Sequence, residues 1–297
     1  MQKGNRVITT QVSVCLITYN HASFIRQAID SVLEQKVNFT WELIIADDYS
    51  TDGTREIIIE YQKKSPDFIK LLLQNDNVGP MKNFIDLIST PQSKYIAYLE
   101  GDDYWTDQTK LSFQYNFLEN NPEYVLLGGY SNKIKDIEDY KIIHNHSLSS
   151  KSNYNFDFDT RYLITKNPLS SSTIFFRNGV VNEFPDVWRQ GFGGDRRLYI
   201  LLSLHGKCRY INKSWGVYRI HSGGVTQKYE GNNKIAGIEA RLEVIKRWDK
   251  YLNYKYSYES ELALRAYLKK LLKLYIKEIK IIKSIICVFK LFRVIKY

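Results

Sequence analysis

Acidic residues gather where short apolar runs stop. Leu99 is followed by Glu100, Gly101, Asp102 and Asp103, Ala46 by Asp47 and Asp48, and Leu73 by a loop containing Asn75, Asp76 and Asn77. A further run ends in Thr18, Tyr19 and Asn20. Carboxylates drawn into one crevice repel one another unless a cation or hydrogen-bond donors compensate. A hard divalent ion is the natural compensator. Mg2+ and Mn2+ favour oxygen ligands, and Mg2+ in particular takes one or two protein carboxylates and completes its shell with waters and substrate phosphates. Glu100 and Asp102 are spaced for a bend that points both toward one ion, with Asp103 adjacent. A single acidic turn of this kind is more often a solvated turn or a helix cap. Repetition at successive run ends is what favours a site.

The elements that must position these loops are the apolar runs at 12–18, 41–46, 69–73 and 95–99, whose near-continuous hydrophobicity implies strands covered on both faces. Between them, Ile25, Ala28, Ile29, Val32 and Leu33 follow helical spacing, as do Ile57, Ile58 and Tyr61. Alternation of this kind predicts βαβ units and a parallel sheet. A shorter helix is expected over 83–88, and Thr106 is expected to cap one that carries Leu111, Phe113, Phe117 and Leu118 and ends at 120–122. Residues 131–165 are polar and irregular and receive no assignment. A strand at 172–176, a helix at 195–204, a strand at 208–218 and then helices complete the expectation. The fold class is thus α/β, a Rossmann-like, mostly parallel sheet flanked by helices, with a C-terminal helical extension. Open parallel sheets bind ligands beyond the carboxyl ends of their strands, which selects the four loops above.

Four spaced motifs, VSVCLITYN, WELIIADDYSTDGT, NVGPMKN and YIAYLEGDDYW, appear in that order over about residues 10–120. Together they closely resemble the donor half of glycosyltransferase family 2, which has the GT-A fold. The resemblance implies an inverting enzyme that moves a sugar from a nucleotide-diphosphate sugar, expected to be a UDP-sugar, to an acceptor hydroxyl. It implies a nucleotide-sugar site with Thr18, Tyr19, Asn20 and Asn77 among the residues lining it, Asp48 reading the base with Asp47 in support, and Lys82 near the diphosphate. EGDD resembles the family's DxD region, with Glu100 where Asp is more usual, so Asp102 and Asp103 are the implied ligands of Mn2+ or Mg2+ and Glu100 stands beside them.

Further on, FGGDRRLYILLSLHGK resembles the family's acceptor-side segment and places Asp195 as general base, with Gly194 where Glu is common. A carboxylate there can take the proton from the attacking hydroxyl. An acid at that position is otherwise a helix cap. WGVYRIHSGGVT resembles the segment that closes over the diphosphate, so Arg219 is expected to neutralise charge and His221 to ligate the metal or touch phosphate. The implied division is a catalytic domain over 1–225, with its nucleotide-sugar half at 10–103 and its acceptor half at 104–225, followed by a basic helical segment over 226–297.

Bulk properties bound the remaining choices. A chain of 297 residues can bury a large core without disulfides, and its three cysteines, Cys15, Cys208 and Cys287, are odd in number and too widely spaced for a metal site. The first twelve residues are mostly polar and the apolar run after them is interrupted at Thr18, unlike the long core of a signal peptide. A cytoplasmic location is expected. Of the net charge of +10, residues 264–297 carry +9, with ten Lys or Arg against Glu278 alone. Lys269, Lys273, Lys277, Lys280 and Lys283 recur every three or four residues, as do Leu272, Ile276, Ile279, Ile282, Ile286 and Phe289. Such a segment is expected to lie on an anionic membrane surface, peripheral on the inner face of the cell membrane, where a glycan or lipid-linked acceptor would be met. A terminal helix packing its apolar side on the catalytic domain is the alternative. The context expected is bacterial surface-polysaccharide synthesis.

Two rival functions are weaker. A nucleotidyltransferase that makes sugar nucleotides needs a Gly-rich basic loop after the first strand, where this chain has TYNHASF. A non-enzymatic basic adaptor leaves the acids at the strand ends unexplained, and no nucleic-acid partner is expected.

Overall fold

Three parallel strands form the heart of the sheet: β1 (Val12–Thr18), β2 (Trp41–Asp47) and β4 (Tyr95–Glu100), with β3 (Ile69–Leu73) outside β2. Their registers set Thr18 beside Asp47 and Ile17 beside Glu100, so the polar loops leave the sheet at one edge. Val12, Val14, Leu16, Leu43, Ile45, Ala97 and Leu99 are fully buried. Both faces are covered, as a parallel sheet requires. The crossovers are α1 (Ile25–Leu33), α2 (Thr54–Lys64) and α3 (Pro80–Ser89), the last opening on a proline whose missing amide costs the helix nothing at that position. The computed structural model describes residues 10–135, 142–143, 154–181, 183–189, 194–224, 233–278 and 281–294.

Beyond β4 the sheet turns antiparallel. A two-residue strand β5 (Tyr104–Trp105) precedes α4 (Lys110–Asn120), and β6 (Tyr124–Lys135), β7 (Ile142–Ile143), β8 (Phe156–Phe158), β9 (Phe175–Arg177) and β10 (Lys207–Ile220) complete the order β3-β2-β1-β4-β9-β6-β10-β5, with β7 on β6 and β8 on β10. Thr106 does not cap α4. Its amide donates to the Trp215 carbonyl, continuing the β5–β10 pairing, while Asp107 accepts from the Thr109 amide and hydroxyl just before the helix. The expected strand at 172–176 is shorter. It is preceded by a 3-10 turn, Ser171–Thr173. The unassigned stretch from 131 begins as the end of β6, and its described remainder includes β7, β8 and α5 (Thr160–Thr165).

The chain divides into two compact units. The first, within residues 1–158, 168–184 and 201–219, carries the sheet. The second, within 159–167, 185–200 and 220–297, is helical. It includes α5, α6 (Asp186–Arg189), most of α7 (Gly194–Ser203), α8 (Lys234–Tyr251), α9 (Ser257–Lys277) and α10 (Ile281–Val294). Ile238 and Leu242 of α8, Leu268, Leu271 and Tyr275 of α9 and Cys287 of α10 form its core. Truncating one such leucine to alanine costs about 2–5 kcal/mol. The Arg196 guanidinium donates to the carbonyls of Leu163 and Ile164 at the end of α5, where orphan acceptors and the helix dipole both favour a cation.

On the outer side of the same helices, Ile276, Ile285, Ile286 and Phe289 are 62%, 52%, 48% and 68% exposed, among the exposed Lys273, Lys277, Lys283 and Lys290. Of the apolar stripe read from the sequence, Leu272 turns inward to the core, Ile276, Ile286 and Phe289 face out, and the side chains of Ile279 and Ile282 lie outside the described residues. Among the described residues no helix is long and apolar enough to cross a membrane. Cys15, Cys208 and Cys287 are buried free thiols.

Candidate active site

The loop after β2 is held by its own acids. Asp47, fully buried, accepts from the Ser50 amide and hydroxyl and from Arg55 Nε at 2.6 Å, and Arg55 also donates to the Gln74 carbonyl at 2.7 Å. Arg55 is the cation paired with this buried carboxylate. Asp48 is buried as well, and its Oδ1 accepts the Val78 amide at 2.8 Å while its carbonyl accepts Asn77 Nδ2 at 3.3 Å. Burial raises its carboxyl above the usual range, against the lowering effect of the Val78 and Gly79 amides. Asp47 and Asp48 thus brace two loops.

The loop after β1 is tied to the same region. Asn20 adopts a left-handed backbone at φ 55°, which asparagine tolerates. Its amide donates to Ser50 Oγ at 2.9 Å and its Oδ1 accepts the Thr51 amide at 2.9 Å. Asp52 accepts the Ala22 amide at 2.9 Å and the Thr54 hydroxyl at 2.6 Å, and although desolvation pushes its carboxyl up, these hydrogen bonds hold it below the ordinary value. Tyr19 and Tyr49 are left exposed at the sheet edge, with the Arg55 guanidinium 5.2 Å from the Tyr49 ring.

At the end of β4 the acids separate in role. Thr18 Oγ1 lies 3.2 Å from His21 Nδ1, and His21 Nε2 lies 3.7 Å from Asp102 Oδ2. Asp103 is fully buried, and its Oδ1 accepts the Arg219 amide at 3.0 Å. Burial first, then the neighbouring charges of Asp102 and Glu100, push its carboxyl well above the usual range. Its Oδ2 is buried with no hydrogen-bond partner among the described residues. An orphaned buried carboxylate oxygen beside a second carboxylate is a donor set that fits Mg2+ or Mn2+. Glu100 Oε2 accepts the Ser171 hydroxyl at 2.8 Å. Gly101 has no room for a side chain, since a Cβ there would lie 2.8 Å from Thr18 Oγ1 and 3.0 Å from Ile25 Cδ1.

Arg219 spends its donors on protein. It reaches the Asp102 carbonyl at 2.5 Å and the Gln27 side chain, and its guanidinium lies 4.4 Å from the centre of the Tyr104 ring. Lys82, on α3, is exposed and pairs with Asp86 at 2.6 Å. The first unit therefore brings Thr18, Tyr19, Asn20, Asp47, Asp48, Asn77, Glu100, Asp102, Asp103 and Arg219 to one connected set of loops, with Lys82 at the head of the neighbouring helix. Asp195 and His221 belong to the second unit. Asp195 stands in the first turn of α7, where burial raises its carboxyl and the Arg196 and Arg197 charges oppose the rise. The His221 carbonyl accepts the Gly224 amide at 3.1 Å. Sequence reasoning passed over His21, Asp52, Arg55 and Ser171. The Asp52-Gly53-Thr54 turn and the eight-residue step from Asp47 to Arg55 were the available signals.

Residues 13–183 match the family model for glycosyl transferase family 2. The UDP-Glc:alpha-D-GlcNAc-diphosphoundecaprenol beta-1,3-glucosyltransferase WfaP of Escherichia coli is 31% identical over 237 residues, covering 79% of this chain and 85% of that protein. Among solved structures, S. aureus TarS 1–349 in complex with UDP-GlcNAc aligns with a TM-score of 0.65 at 16% identity over 87% of this chain and 72% of that one. The mannosyltransferase PcManGT from Pyrobaculum calidifontis in complex with GDP-Man and Mn2+ aligns with a TM-score of 0.55 at 14% identity over 90% and 75%. The sheet is of the GT-A type, and the chain belongs to glycosyl transferase family 2 as a glycosyltransferase.

Proposed function

We propose that this glycosyltransferase moves a hexose from a UDP-sugar, with inversion, to a hydroxyl of a lipid-linked glycan in bacterial surface-polysaccharide synthesis. The observation that carries the reading is the meeting of Thr18, Asp48, Asp102 and Asp103 at the carboxyl ends of β1, β2 and β4. In the proposed division, residues 10–103 bind the donor, residues 104–225 meet the acceptor, and residues 226–297 form the membrane-facing segment. Asp48 and the loop it braces read the base, Tyr19 and Asn20 line the nucleotide, and Asn77 and Lys82 lie toward the diphosphate. Asp102 and Asp103 would hold Mn2+ or Mg2+, with His221 as a further ligand. When bound, such an ion supplies positive charge against which a nucleoside diphosphate departs.

Asp195 is the proposed base. As the acceptor oxygen bonds to the anomeric carbon and the bond from that carbon to the diphosphate breaks, its carboxylate takes the hydroxyl proton. Arg219, locked on the Asp102 carbonyl, fixes the acidic loop as well as adding charge. The exposed Ile285, Ile286 and Phe289 beside Lys283 and Lys290 support peripheral association with the inner face of the cell membrane, with lysines at the headgroups and apolar side chains beneath.

The test is a panel of UDP- and GDP-sugars with Mn2+ and a diphosphoundecaprenol-linked N-acetylglucosamine acceptor. Sugar transfer from a UDP-sugar is expected. Transfer only from GDP-sugars would reject the base assignment, and no transfer or donor hydrolysis from any of them would reject the reading.

A further inference from the structure

The turn Ser171–Thr173 is pinned from several directions for a segment of three residues. Trp105 Nε1 donates to the Ser172 carbonyl at 2.7 Å, and Gln114 Nε2 donates to the Thr173 carbonyl at 2.8 Å. Behind them, the fully buried Lys110 donates to Gln114 Oε1 at 2.8 Å and sits 4.0 Å from the centre of the Trp105 ring. On the β6 side, Thr173 Oγ1 bonds both the amide and the carbonyl of Gly129, and the Ser131 hydroxyl meets that of Ser172 at 3.1 Å. Ser172, Thr173, Lys110, Gln114 and Trp105 are all buried. Burying an amino group is costly unless it is hydrogen-bonded or paired, and here its hydrogen bond and ring contact also hold the side chains that carry the turn.

At the head of this turn, Ser171 is only partly buried, and so is its partner Glu100. The serine hydroxyl donates to Glu100 Oε2 at 2.8 Å, at the carboxyl end of β4. We infer that Ser171 is a positioning residue: it holds the Glu100 carboxylate so that this carboxylate accepts hydroxyl groups of the donor's hexose rather than ligating the divalent ion. The inference rests on the nucleotide-sugar reading above and names the part of the donor that Glu100 recognises. Two features support it. Glutamate is one methylene longer than aspartate, which carries its carboxylate away from the strand end to a hydroxyl donor. A carboxylate offers about four acceptor sites over its two oxygens, so fixing it through one hydroxyl orients a group that can accept several hydrogen bonds, as sugar hydroxyls require.

The experiment compares binding of UDP with UDP-glucose, and GDP with GDP-mannose, by calorimetry in saturating Mn2+, for the full chain and its Ser171→Ala, Ser171→Thr and Glu100→Asp variants. Ser171→Ala is expected to weaken the sugar nucleotide about tenfold, the scale of one hydrogen bond in a binding site. The matching diphosphate should change less than twofold, and Ser171→Thr should restore the split. Glu100→Asp keeps the charge but withdraws the carboxylate from Ser171, so it should reproduce the loss even if Ser171→Ala folds poorly. Equal weakening of diphosphate and sugar nucleotide, or no change in either, overturns the inference. So does a Glu100→Asp variant with unchanged sugar-nucleotide affinity. If the wild-type chain binds neither pair, the donor reading fails and this inference with it.

Discussion

The Arg219 amide donates to Asp103 Oδ1 at 3.0 Å, joining the end of β10 to the acidic loop after β4 and leaving Asp103 Oδ2 buried without a hydrogen-bond partner among the described residues. That leaves Asp103 with one structural oxygen and one oriented oxygen. Mn2+ is expected to raise the melting temperature, because a ligand that binds only the native state stabilises it in proportion to its occupancy. Asp103→Ala should abolish that shift and transferase activity together, and should cost about 1–3 kcal/mol of stability from the amide it strands. Full transferase activity in excess chelator would sink the metal assignment.

For Asp195, substitution by asparagine is expected to leave donor affinity nearly intact and to lower turnover about 10²-fold or more, the usual size of a base contribution. Burial raises this carboxyl, and only its ionised form can accept a proton. The wild-type rate should therefore rise with pH through an apparent pKa above the ordinary carboxylate range, and that limb should vanish in Asp195→Asn. Normal turnover in the variant would place the base elsewhere, and NMR of the product showing a retained anomer would reject inversion.

Lys110 offers a stability test. Its burial pushes the ammonium well below 10.5. A lysine whose folded pKa is depressed carries its full burial cost at low pH. Between the folded and unfolded pKa values the unfolded chain binds more protons, so stability rises with pH. Wild type should thus gain on Lys110→Met in urea denaturation as pH climbs toward 10.5. Parallel curves across that range would show that the amine does not titrate as a buried group.

At the C-terminus, vesicle sedimentation should show the full chain bound to anionic vesicles at low salt and released at high salt. Ile286→Ser with Phe289→Ser should weaken binding at least about tenfold, given roughly 1.5–3 kcal/mol for each large apolar side chain fully buried. Lys283→Gln with Lys290→Gln should also weaken it, by about 1 kcal/mol per charge removed. Binding that is insensitive to all four substitutions would reject this face as the anchor, and concentration-dependent dimerisation lost in the apolar pair would assign it to a second copy.

The parallel half was legible because its strands are continuous apolar runs: 12–18 and 69–73 correspond to β1 and β3, and 41–46 and 95–99 fall one residue short of β2 and β4. The added residues, Asp47 and Glu100, are charged, and pairing with β1 rather than hydrophobicity keeps them in the sheet. The antiparallel half was harder. β5 is two residues long and exists because β10 pairs with it, Gly216 lying opposite Trp105, a contact more than a hundred residues away in sequence. The acids of three of the four loops were visible from composition at strand ends. His21 and Ser171 were not, because each matters through a partner, Asp102 or Glu100, that only tertiary structure supplies, and Arg55 offered only its eight-residue step from Asp47. The tail's amphipathic period was legible, whereas its split into an inward Leu272 and an outward Phe289 depends on α8 and α10 packing about α9.

The absent side chain at Gly101 bears on any effort to vary the acidic loop after β4. With Thr18 Oγ1 at 2.8 Å and Ile25 Cδ1 at 3.0 Å from a hypothetical Cβ, positions 18, 25 and 101 share one small volume. They behave as a single combinatorial letter rather than as three independent ones. A library that varies residue 101 alone will sample broken loops, and a productive one must shrink Thr18 and Ile25 in the same clone.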